Sequence, residues 1–176
     1  MKNFEHFETL RPRLIGSRAI DPEKALASAE KILGITLPSA LRAITLRMKG
    51  ATVFDIDVSF TPSEPIPLQD EIGEIGCELI YGIAEDPNGI QAKFKIYEPQ
   101  LPDDLVAFGE CAGGNLICLD KKTSNVVFWL HDASLEDQSI FLVADTVEEF
   151  FYRLQPAGAQ ASTLAQVIKS ESYLDF

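Results

Sequence analysis

The chain has 176 residues, a mass of 19.4 kDa, 46% apolar residues and a formal net charge of −12. That length fits one domain with a sizeable core, and the apolar content, with 11 phenylalanines, excludes wholesale disorder. No apolar run reaches the roughly 20 residues of a membrane-spanning helix and Met1 to Glu5 lacks the apolar core of a signal peptide, so the expected location is the cytoplasm.

The charge is unevenly spread. Met1 to Lys49 holds nine bases and five acids, a balance of +4, whereas Glu64 to Glu110 holds eleven acids and two bases, a balance of −9. An acidic block repels nucleic-acid phosphates and anionic membranes, which makes both poor partners, and it attracts a basic protein. Plain solubility accounts for such a surface equally well. Cys77, Cys111 and Cys118 are odd in number and lack CxxC spacing, so neither a disulfide framework nor a zinc site is expected, only free, buried thiols.

In chain order, Asp21-Pro22-Glu23 predicts a helix start: a capping acid, proline at the first turn and a second acid at the positive end of the dipole. Ala25, Leu26, Ala29, Ile32 and Leu33 repeat at helical spacing until Gly34. Leu41, Ile44 and Met48 predict a second helix closed by Gly50, which completes a helical hairpin. From Val53 the period changes to two. Phe54, Ile56, Val58 and Phe60 alternate with Asp55, Asp57 and Ser59, predicting one strand with a wet face. Thr61 to Pro67, with three prolines, reads as a loop, and Asp70 to Glu78 has no clear element.

Short strands are expected at Ala92–Tyr97, Leu105–Phe108, Asn115–Asp120, Asn125–Leu130 and Ile140–Val143, with a hairpin turn at Lys121–Ser124. Thr146-Val147-Glu148-Glu149 predicts a capping box opening a helix whose core face is Phe150, Phe151 and Leu154. Gln155 to Ser162 reads as a linker to a weaker helix through Leu164, Val167 and Ile168. The expected fold class is α+β: a mixed, mainly antiparallel sheet with an N-terminal helical hairpin and C-terminal helices packed on it. It forms a single domain over 1–176, with its core at about 21–154 and a C-terminal extension at 155–176.

Candidate chemistry is sparse. Asp55 and Asp57 mimic the paired aspartates of haloacid-dehalogenase-type phosphatases, but the lysine and late acidic pair of that chemistry have no recognisable counterpart. His131-Asp132 follows a strand, where adjacent side chains point to opposite sides, so Asp132 is expected to be badly placed to orient His131. Gly113-Gly114 lacks the flanking residues of a phosphate loop and reads as a turn needing positive φ. Trp129 reads as core. No catalytic residue, cofactor site or metal ligand is assigned.

Four segments together have a familiar order. Glu30-Lys31-Ile32-Leu33-Gly34 followed by Leu37-Pro38-Ser39-Ala40-Leu41 is similar to the opening motif of the SUKH superfamily. Phe108 to Asp120 resembles that family's glycine turn, and Asn125 to Asp132 its tryptophan-bearing strand. Asp145 to Leu154 resembles its terminal helix. The chain departs from the pattern at Lys49-Gly50-Ala51, where the family commonly has Asn-Gly-Gly, and from Thr61 to Asp104, which has no clear counterpart.

The resemblance implies a non-catalytic protein-binding module. Bacterial members are largely toxin-immunity proteins and fungal members regulate cell-wall assembly. The expected partner is a basic toxin domain of nuclease or deaminase class, the alternative being a regulatory scaffold with no toxin. Asp70, Glu71, Glu74, Glu78, Asp103 and Asp104, which carry no evident core role in the sequence, are the expected partner-binding residues.

Overall fold

The computed structural model describes residues 2–134 and 138–159. Two elements precede the expected hairpin: helix α1 (Lys2–Thr9) and strand β1 (Pro12–Ile15). Helix α2 (Pro22–Leu33) starts as the sequence predicts. The Asp21 carboxylate accepts the Lys24 amide at 3.1 Å, and Gly34, left-handed at φ 70°, closes the helix. Helix α3 (Ser39–Met48) buries Leu41, Ile44 and Thr45. Lys49 at φ 64°, rather than Gly50, supplies its left-handed cap. Gly50 serves packing instead, since a Cβ there would lie 2.4 Å from the Ser17 carbonyl oxygen.

The single strand expected from Val53 to Phe60 is two strands. Strand β2 (Ala51–Phe54) and strand β3 (Val58–Phe60) flank a bend at Asp55–Asp57 and join different sheets. The Asp55 amide bonds the Arg11 carbonyl at 3.0 Å and its carboxylate meets Arg13 at 2.9 Å, which holds the bend. The expected wet face is lost on β3, where Ser59 is buried.

Strands β4 (Ile75–Gly76) and β5 (Leu79–Ile80) follow, and then helix α4 (Ile90–Tyr97) where a strand was expected at Ala92–Tyr97. Ile90, Phe94 and Tyr97 lie four and three residues apart, the helical stripe. A window opened at Ala92 misses Ile90, its one fully buried member. Lys93 of α4 pairs with Glu110, which also accepts the Tyr81 hydroxyl at 2.7 Å and so pins the helix to the sheet.

Strand β6 (Leu105–Glu110), a 3-10 turn at Ala112–Gly114, β7 (Leu116–Asp120), β8 (Val126–Trp129) and β9 (Ile140–Ala144) match the expected strands. Helix α5 (Val147–Arg153) is capped as expected by the Thr146 hydroxyl on the Glu149 amide at 3.0 Å, although the Glu149 carboxylate reaches back to Asp145 rather than Thr146. Strand β10 (Gln155–Pro156) replaces the start of the expected linker. The linker beyond Ala159 and the helix through Leu164, Val167 and Ile168 lie outside the described residues.

Seven strands pair antiparallel in the order β1-β2-β5-β6-β7-β8-β9, and a small sheet runs β10-β3-β4. The architecture is α+β, as expected. β7 and β8 are buried on both faces, Trp129 included. The core is phenylalanine-rich: the Phe150 ring meets Phe60 at 5.4 Å, Phe108 at 5.6 Å and Phe151 at 5.4 Å between centroids. Along β9, the Ser63 and Glu64 amides bond the Val143 and Leu142 carbonyls, and the Glu64 carboxylate accepts the Leu142 amide at 2.8 Å. No helix among the described residues is long and apolar enough to cross a membrane.

Candidate binding cleft

The six acidic residues expected to act together are divided between the two ends of β6. Asp103 and Asp104 precede Leu105, which pairs with Asp120, whereas Glu78 bonds to Glu110 at the far end, five residues or roughly 17 Å away. Asp104 is paired with Lys122, and the Asp103 carbonyl accepts the Lys121 amine at 2.8 Å. That corner is locally balanced in charge and does not extend an acidic face. Glu71 is exposed beside the other group and lines neither of the two clefts at that end.

At the far end, the glycine turn faces the segment leading into β4 across a cleft of about 650 Å³. Asp70, Glu74 and Ile75 form one wall, Cys111 to Gly113 with Asn115 the other, and Phe128, Leu130 and Asp132 complete it. Leu68, 53% exposed, stands on the rim. Gly76 is shared with a second cleft of about 360 Å³ that contains Asp57 and Glu78. Five carboxylates therefore line the two clefts, with no Lys or Arg among the described lining residues.

The expectation that these acids lack a core role fails for Glu74. It is 2% exposed and accepts the Ser59 hydroxyl at 2.6 Å, the Gln155 amide at 2.9 Å and the Gly158 backbone amide at 2.9 Å. The carboxylate thus ties β3 and β10 to the cleft wall. Asp70 shapes the same wall by accepting the Ile72 and Glu74 amides at 3.0 and 2.7 Å. Glu74→Ala strands three donors and is expected to cost about 1–3 kcal/mol in urea unfolding. Unchanged stability combined with faster release of a bound partner would make Glu74 a contact residue instead.

The glycine turn is as expected, with Gly113 and Gly114 left-handed at φ 76° and 77°. Buried Asn115, which the sequence did not single out, ties it to β8. Its side chain donates to the Ala112 carbonyl at 2.6 Å and accepts the His131 backbone amide at 3.0 Å. The expected separation of His131 from Asp132 does not hold. The chain turns after Leu130, so neighbouring side chains no longer diverge, and Nδ1 of His131 lies 2.8 Å from the Asp132 carboxylate.

That pair is exposed, and the thiol lining the cleft is a poor nucleophile. Burial, first of all, together with nearby thiols and carboxylates, pushes Cys111 well above its ordinary range and keeps it protonated at neutral pH. Burial likewise raises Cys77, to about 12, and Cys118. All three cysteines are free. Among the described residues, no group of three or more His, Cys, Asp and Glu is placed to share a metal ion.

The model of the SMI1 / KNR4 family (SUKH-1) matches residues 22–153. The chain belongs to this family. The SUKH-1 match runs from the first residue of α2 to the last of α5, and it includes both cleft walls and the 61–104 segment that had no clear counterpart in the sequence pattern. A relative in Bacillus subtilis strain 168, the SPbeta prophage-derived uncharacterized protein YokK, is 28% identical over 145 residues, covering 77% of this chain and 76% of that protein.

Proposed function

We propose that this chain is a non-catalytic binding module that takes a basic protein into its acidic cleft, and that the partner is a toxin domain of nuclease or deaminase class. One observation carries the reading. Asp57, Asp70, Glu74, Glu78 and Asp132 converge on the two adjoining clefts with no lysine or arginine among the described lining residues, while Leu68, Phe128 and Leu130 supply apolar anchorage. Toxins that act on nucleic acids present basic substrate surfaces, and an acidic concave face complements these in charge. Family membership supports a binding role, and the weak nucleophilicity of Cys111 argues against the alternative of catalysis. The reading places the protein in the cytoplasm, whose reducing thiol pool suits three free cysteines.

The partner-binding set becomes Asp57, Asp70, Glu78 and Asp132, with Glu71 alongside and Glu74 holding the wall. The test is to search the neighbouring genes for a basic toxin domain and to measure its association by stopped flow; absence of such a gene refutes the toxin reading. Association slows as salt rises and the Debye length falls from about 30 Å at 0.01 M to about 8 Å at 0.15 M. Asp57→Asn with Glu78→Gln lowers the on-rate about 10-fold and moves the off-rate less. Salt-independent association, or a partner that docks away from the cleft, refutes the reading.

A further inference from the structure

We infer that a second surface, the groove between α2 and α4, docks an acidic amphipathic helix from another protein. It is independent of the acidic cleft, with which it shares no lining residue. Two adjoining depressions of about 390 and 480 Å³ meet at Ser28, Ala84 and Glu85 to form one groove. Asp21, Lys24, Ala25, Ser28 and Ile32 of the α2 side follow a single helical stripe, about 17 Å long at 1.5 Å per residue. That length matches about three turns of a partner helix.

Apolar anchorage is concentrated here. Five large apolar side chains are exposed among the described residues; two of them line this groove, Ile20, whose side chain is fully exposed, and Ile32 at 39%, and a third, Ile96 at 55%, stands on the helix that forms its other side. Ile96 follows Lys95 and lies one turn beyond Ala92, and both of those residues line the groove. Such clustering marks an interaction surface, whereas scattered single residues do not.

The charge around the groove selects the occupant. Two of the nearby acids are committed to backbone: Asp21 caps α2, and Asp86 accepts the Ser17 and Asn88 amides. Arg18, Lys24 and Lys95 have no ion pair among the described residues, and Glu85 is the one uncommitted acid among the described lining residues. Free cations around an apolar floor, on a chain of net charge −12, complement glutamates and leucines on one helix. A basic partner fits the cleft, and an acidic helix fits this groove.

The experiment uses the full chain and a fluorescein-labelled peptide of about twelve residues, with leucine at every third or fourth position and glutamate elsewhere, read by anisotropy. A counterpart with lysine for glutamate is the control. The glutamate peptide binds, and Lys24→Glu with Lys95→Glu weakens it about 10-fold, as does Ile20→Ser with Ile32→Ser. Asp57→Asn with Glu78→Gln leaves this binding unchanged, which separates the groove from the cleft. All the substituted side chains are exposed or uncommitted, and each variant's melting curve verifies its folding; Lys95→Glu alone, read against wild type, carries the test if a double variant fails to fold. Absence of binding, equal binding of the lysine peptide, or indifference to the charge reversals overturns the proposal. So does concentration-dependent self-association abolished by Ile32→Ser, which would make a second copy the occupant.

Discussion

Phe150→Ala lowers unfolding free energy by about 3–5 kcal/mol, read from the urea midpoint at unchanged slope. Phe150 is fully buried, and its ring touches Phe60 of the small sheet and Phe108 of the large one. Truncation therefore opens a cavity at the place where the two sheets meet, and neither can close it without moving a strand. Tyr152 sits two residues on along the same helix, is 44% exposed and stacks on His6 at 5.9 Å. Tyr152→Ala is expected to cost less than half as much. Equal losses at the two positions would refute the placement of Phe150 at the junction.

Gly82→Val is expected to cost at least about 3 kcal/mol, at or beyond the upper end of ordinary overpacking. A Cβ on Gly82 would lie 2.1 Å from the Gly50 carbonyl carbon and 2.3 Å from the Ala51 nitrogen. Both atoms are backbone, so no side-chain rotation relieves the clash. The only relief is to part the segments that bring β5 beside β2, which share a single paired position, Thr52 with Ile80. Gly82→Ala should already produce most of the loss. Gly34→Ala is the contrast, because open space surrounds that position and only its φ of 70° is unfavourable, a cost of about 1 kcal/mol. Thermal and urea unfolding of the three variants settle the ranking, and a Gly82→Ala protein as stable as Gly34→Ala would refute the close approach.

What could be read in the sequence was local. Asp21 and Thr146 lie within three residues of the amides they cap, so composition and spacing suffice to find them. The strands from β6 to β9 are apolar enough to declare themselves before any pairing is known. Failures came where distant partners decide. The bend at Asp55 depends on Arg11 and Arg13, more than forty positions earlier, and an alternating pattern continues through it unchanged. Glu74 looks like one more surface acid, because the groups that bury it are Ser59, Gln155 and Gly158.

The cleft was half legible. Its glycine turn and three of its five acids, Asp70, Glu74 and Glu78, stand out in the sequence, whereas Asp57 and Asp132 drew notice only as candidate catalytic groups, and their meeting depends on strand register. The same register separates Asp103 and Asp104 from the others by the length of β6. Charge summed along a segment cannot distinguish one end of a strand from the other.

The loop laid along β9 has a further consequence for the molecule in a crowded solution. The last strand of an open sheet ordinarily presents free amides and carbonyls that template pairing with a foreign chain. Here Ser63 and Glu64 already occupy the Val143 and Leu142 carbonyls, and a carboxylate holds the Leu142 amide. Pro62 and Pro65 flank the two residues that make these bonds, and each lacks the amide a growing ladder would require. That side of the sheet is therefore closed to fibril-like, molecule-to-molecule extension, even while the cleft and the groove stay open to partners.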